Sequence, residues 1–88
     1  MASPRIIWQV KEDQRGRWRD FPLGLATQIE IEWQAWQKKG QDGEMVVDYV
    51  WPNSKGDVFT PYEIVFGATM VQKNVKTGSV REVRRVVA

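Results

Sequence analysis

The 88-residue chain contains no cysteine and no histidine. These absences exclude disulfide frameworks, thiolate and imidazole metal sites, cysteine nucleophiles and Ser-His-Asp triads, the usual instruments of most enzyme classes. Long apolar runs are missing too. The most apolar stretch, Met45 to Trp51, is interrupted by Asp48 and is far shorter than the roughly 20 residues of a membrane-spanning helix. No apolar leader precedes Trp8, so the expectation is an intracellular chain, nuclear or cytoplasmic, that engages no membrane. Glycine-rich phosphate loops are absent: Phe21-Pro22-Leu23-Gly24-Leu25, ahead of the one helical pattern, fits neither a P-loop nor a dinucleotide fingerprint. Of the eleven carboxylates, no pair has the spacing of a catalytic dyad. Glu30 and Glu32, two apart on a helix, point in different directions. The chain is therefore expected to be no enzyme, with no metal site and no cofactor.

What the chain does have is aromatic mass: five Trp, three Phe and two Tyr. A domain of this length buries only about 60 to 65% of the surface its unfolded chain exposes, and large side chains offset that deficit. One core, and one domain over residues 5–87, is the expectation. The net charge of +2 hides an asymmetry, because residues 73–88 carry five positive charges against one negative and the rest of the chain sums to −2. Such a basic end suits an anion-facing surface, and equally the solvated edge of a sheet.

Ile6, Trp8 and Val10 alternate with Ile7, Gln9 and Lys11, a strand over 5–11. A charged turn over Glu12 to Gly16 leads to a second strand, 17–21, ended by Pro22. Thr27 and Glu30 have the spacing of a capping box, which predicts a helix from about Gln28 to Lys39 with Ile29, Trp33 and Trp36 on its apolar stripe, Glu32, Gln34, Lys38 and Lys39 mostly solvated, and Gly40 as its stop. Met45 to Trp51 and Val58 to Phe66 flank the turn residues Pro52 to Asp57, a hairpin. Gly67 predicts a bend or bulge before a strand over 69–75, Thr77-Gly78 a turn, and Val80 to Val87 a last strand. The fold class is α+β: a curved antiparallel sheet of about six strands packed on one helix.

Alternation places Met70, Gln72 and Asn74 on one face, and Arg81, Val83 and Arg85 on one face of the next strand. With Met70 and Val83 in the core, Gln72 and Arg81 turn inward near the end of the hairpin. Two readings stay open. Arg81 pairs with a carboxylate such as Glu30 while Gln72 satisfies backbone groups, or the two line a polar pocket for an anion, with Tyr62 as an aromatic wall.

Trp8, Trp18 and Glu30 resemble, in order and spacing, the two tryptophans and the glutamate of the WWE domain family. The run Met70-Val71-Gln72-Lys73-Asn74 through Thr77-Gly78 to Arg81-Glu82-Val83-Arg84-Arg85 is similar to the family's C-terminal pattern, and Tyr62-Glu63-Ile64-Val65-Phe66 resembles its Tyr-x-Ile-Asp-Phe. The resemblance, from about Trp8 to Arg85, implies a half-barrel of six strands on one helix. It also implies a non-catalytic module of ubiquitin ligases and poly(ADP-ribose) polymerases that recognises iso-ADP-ribose within poly(ADP-ribose), or terminal ADP-ribose and ATP. On that basis Tyr62 is an aromatic wall, Gln72 a polar contact and Arg81 a phosphate contact, with Arg19 or Lys73 as helpers, while Trp8, Trp18 and Glu30 are framework. Val10 stands where readers of poly(ADP-ribose) place an aromatic residue, Arg19 where some have another, and Val65 where the motif has Asp. The alternative is a protein-interaction module, in a ubiquitin-ligase or ADP-ribosyltransferase context, that does not bind nucleotide. A third reading, nonspecific nucleic-acid binding through the basic end, is the weakest.

Overall fold

The computed structural model describes residues 5–12, 15–40, 43–52, 55–57 and 59–88. Among these, strands β1 (Ile6–Lys11) and β2 (Trp18–Asp20) precede helix α1 (Leu23–Lys38). Strands β3 (Met45–Pro52), β4 (Phe59–Phe66), β5 (Val71–Asn74) and β6 (Val80–Val87) follow it. They form one antiparallel sheet in the order β2-β1-β6-β5-β4-β3, an open half-barrel packed on α1. Parts of the expected turns, Asp13, Gln14, Asn53 and Ser54, together with Val58, lie outside the described residues.

The helix begins a turn earlier than the capping-box spacing predicts. Pro22 stands at the N-cap with extended backbone (φ −54°, ψ 145°) and no side-chain cap, and its carbonyl accepts the first helical bond from Ala26 N–H at 2.8 Å. Thr27 lies inside the helix, its hydroxyl donating back to the Leu23 carbonyl at 2.9 Å. Glu30 is not a cap because stronger donors claim it. Its Oε1 accepts from Trp8 Nε1 and Arg85 Nε, both at 2.8 Å, and its Oε2 from Arg85 Nη2 at 2.9 Å and Gln34 Nε2 at 2.8 Å. The Arg85 guanidinium holds the Glu30 carboxyl well below its usual range, at about 2; burial opposes this, and Gln34 and Trp8 reinforce it. Glu30 thus ties α1 to β1 and β6.

Ile29 and Trp36 of the apolar stripe are buried, and Trp33 packs on the core from its edge. Trp8 meets Trp33 and Phe66 with ring centroids 6.1 Å apart in each pair, and Trp36 stacks on Phe66 at 5.9 Å. Val10, Phe21, Ile64 and Val83 complete the buried set. Each large apolar side chain sequestered in this way contributes about 1.5–3 kcal/mol of transfer free energy. Glu32, expected to be solvated, is half-buried, whereas Gln34, Lys38 and Lys39 are exposed.

β5 is shorter than the 69–75 expectation, because residues 67–70 bend before it, although Met70 still accepts Val83 N–H through its carbonyl at 3.0 Å. After β5, Asn74 Oδ1 accepts the amides of Lys76 (2.9 Å) and Thr77 (3.1 Å), and Gly78 takes φ 77°. A left-handed backbone there suits glycine and strains any residue with a Cβ. This turn sets the β5–β6 register, which pairs Gln72 with Arg81.

Candidate functional site

In an antiparallel sheet, the ends of odd strands and the starts of even strands meet at one rim. That rim holds a cleft of about 350 Å³ lined by Val10 of β1 and Glu12 just beyond it, Arg19 of β2, Trp51 and Pro52 of β3, Thr60 and Tyr62 of β4, Gln72 of β5 and Arg81 of β6. All four residues singled out from the sequence, Arg19, Tyr62, Gln72 and Arg81, line it. All six strands contribute side chains that are far apart in the chain.

Gln72 is the one buried polar residue among those described, only 3% exposed, and burying an amide is tolerable only when it is hydrogen-bonded. Its Nε2 donates to the Tyr49 hydroxyl at 2.6 Å, so its partner is a side chain of β3 and not the backbone groups considered from sequence. Tyr49 is half-buried, and burial pushes its phenol above its ordinary value. The Tyr49 ring stacks on Tyr62 (centroids 5.7 Å apart, 20° between planes) and meets Phe21 edge-on at 6.1 Å. Trp51 adds a second aromatic surface, edge-on to Tyr62 at 6.3 Å, packed on Phe21 at 4.9 Å and covered by the Arg19 guanidinium 5.2 Å from its centroid. Arg19 and Phe21 on one side, with Tyr49 and Trp51 on the other, bring the two edges of the half-barrel together.

Arg81 is exposed at the cleft. The pairing of Arg81 with Glu30 does not occur: Arg85, four residues further along the same face, takes the carboxylate and lies 4.1 Å from the Trp33 centroid. Arg84 points the other way, donating to Gln9 Oε1 at 2.8 Å over the Trp18 ring, with its carbon 4.0 Å from the centroid. Lys73, considered as a helper, is exposed on β5 opposite Glu63 and does not line the cleft. The basic end of the chain is thereby split among cleft, framework and outer face, and presents no single cationic strip.

Sequence reasoning missed Trp51, Tyr49, Thr60 and Glu12. The alternation of Met45, Val47, Tyr49 and Trp51 was available as a signal, since residues two apart share a face. What alternation does not show is which end of β3 faces Tyr62; the Trp51↔Thr60 and Tyr49↔Tyr62 register supplies that. Among the described residues no group of three or more Asp, Glu, His or Cys is placed to hold a metal ion, and no helix is long and apolar enough to cross a membrane.

A half-barrel wrapped on one helix, with an aromatic and basic cleft at its open rim, defines a small α+β module. Within that class, the WWE domain family model matches residues 6–85. The chain belongs to the WWE domain family, a family of protein-interaction and ADP-ribose-binding modules that is not catalytic. No curated protein matches the chain.

Proposed function

We propose that this chain is a non-catalytic binding module whose rim cleft takes an ADP-ribose-type nucleotide: an ADP-ribose unit of poly(ADP-ribose), terminal ADP-ribose, or ATP. The observation that carries the reading is the convergence of Arg19, Tyr62, Gln72 and Arg81 on one cleft. Tyr62 and Trp51 supply π faces on which an adenine stacks, worth about 1–3 kcal/mol per base. Trp51 takes the part of the aromatic wall that Val10 lacks. Arg81 and Arg19 supply charge-assisted contacts to phosphate oxygens, and Gln72 a neutral hydrogen bond to a base edge or a ribose. With guanidinium groups to neutralise phosphate, the module requires no metal. Such a reader belongs in the nucleus or cytoplasm, alongside ubiquitin-ligase or ADP-ribosyltransferase domains.

The second reading is a protein-interaction module without nucleotide binding, favoured by the Glu12 carboxylate in the same cleft. Titration of the isotope-labelled chain with ADP-ribose, iso-ADP-ribose, ATP and a short RNA separates the readings. Saturable shifts at Arg19, Tyr62, Gln72 and Arg81 with a nucleotide support the first. Silence toward all four ligands supports the second, and RNA binding with a steep salt dependence contradicts both.

A further inference from the structure

Three charged side chains share the cleft: Arg19, Arg81 and Glu12. None of the three is ion-paired with another described residue, since Arg85–Glu30 is the ion pair found among them. Arg19 lies over Trp51, and Glu12 stands just beyond β1, its backbone fixed by its N–H donating to the Arg17 carbonyl at 2.7 Å. An unneutralised carboxylate in a cleft built for anions acts on every ligand by Coulomb repulsion, and its effect grows with the ligand's charge. A plain phosphate sink would be served better by a neutral residue at this position.

We infer that Glu12 is a specificity-determining residue that sets the ligand charge the cleft accepts. It discriminates against ligands with terminal phosphate groups, such as ATP or free iso-ADP-ribose with about four negative charges near neutral pH, relative to a pyrophosphate diester, as in ADP-ribose with about two, by cutting the advantage that the extra charge would otherwise gain. The inference rests on the nucleotide reading above and narrows it. With Arg19 and Arg81 positive and Glu12 negative, the cleft carries one net positive charge. Two further negative charges on a ligand gain attraction to both arginines but also double the repulsion from Glu12, so the gain is only about half of what it would be without that carboxylate. Glu12 is exposed and has no side-chain partner among the described residues, so removing its charge leaves the fold alone.

The test measures the affinities of ADP-ribose, ATP and free iso-ADP-ribose by calorimetry at low ionic strength for the wild-type chain, Glu12→Gln and Arg81→Ala. The expected result is that Glu12→Gln raises affinity for ATP and iso-ADP-ribose about fivefold to tenfold more than for ADP-ribose, and that added salt shrinks the difference. Wild-type binding of ADP-ribose that is weakened by Arg81→Ala, together with unchanged ligand ratios in Glu12→Gln, overturns the role of Glu12 and leaves the nucleotide reading standing. Failure of the wild type to bind any of the three overturns both.

Discussion

Gln72 Nε2 donates to the Tyr49 hydroxyl at 2.6 Å, and the ring that carries this hydroxyl is stacked on Tyr62 at 5.7 Å. One β3 side chain therefore supports two residues of the cleft from beneath. Tyr49→Phe keeps the ring and removes only the acceptor, which leaves a buried amide short of a partner. The expected cost is about 1–2 kcal/mol of stability, read as a lower urea midpoint with an unchanged slope. A midpoint equal to the wild type's would show that the hydrogen bond contributes nothing.

Glu30 makes stability depend on acid. Its carboxyl lies at about 2 when folded, against an ordinary value of 4.5, so its contribution is present above about pH 4.5 and is lost as pH falls from there through 2. Glu30→Gln should destabilise the chain by about 2 kcal/mol near neutral pH. The gap to the wild type should close progressively as pH falls toward 2. A gap independent of pH between 6 and 2 would mean that the charge of Glu30 is not what Arg85 and Trp8 hold.

Gly78 takes φ 77°, and a Cβ there would meet nothing within 4 Å. Gly78→Ala consequently tests backbone strain without a steric clash, and a loss of about 1–2 kcal/mol is expected. Because this turn sets the Gln72↔Arg81 register, the β5 and β6 amide resonances should shift as well. No change in stability would remove the turn from the account of how the cleft is built.

Under the proposed nucleotide reading, Trp51 supplies the aromatic wall that Val10 does not, and both line the cleft. Trp51→Ala should weaken nucleotide binding at least about fivefold through lost stacking, with some loss of stability from its contact with Phe21 at 4.9 Å. A folded variant that binds as tightly as the wild type would place the adenine elsewhere.

Most of the fold was legible in the sequence because period-2 alternation and turn chemistry act locally. The strands around Trp8, Met45 and Val80 emerged with nearly their observed bounds. The helix start did not, because the Thr27–Glu30 spacing satisfies a local rule that loses to a tertiary one: Trp8 and Arg85, distant in the chain, bind Glu30 more strongly than a backbone amide does. The cleft divides along the same line. Gln72 and Arg81 face each other across one hairpin, so their meeting follows from alternation; Tyr62 was read as an aromatic wall beside them and reinforced by the family resemblance, and Arg19 came from that resemblance alone. Trp51 and Glu12 join them only because the half-barrel curls its two edges together, and no local pattern encodes that curl.

The proposed binding of an ADP-ribose-type ligand in the rim cleft depends on Arg81. Calorimetric titration of ADP-ribose and iso-ADP-ribose into the wild-type chain and into Arg81→Ala tests it most directly. Arg81 is exposed, so thermal melting of the variant should match the wild type. One-site binding to the wild type is expected, weakened about tenfold or more in the variant through the loss of a charge-assisted phosphate contact. No binding by the folded wild type, or equal affinity in the folded variant, would contradict it.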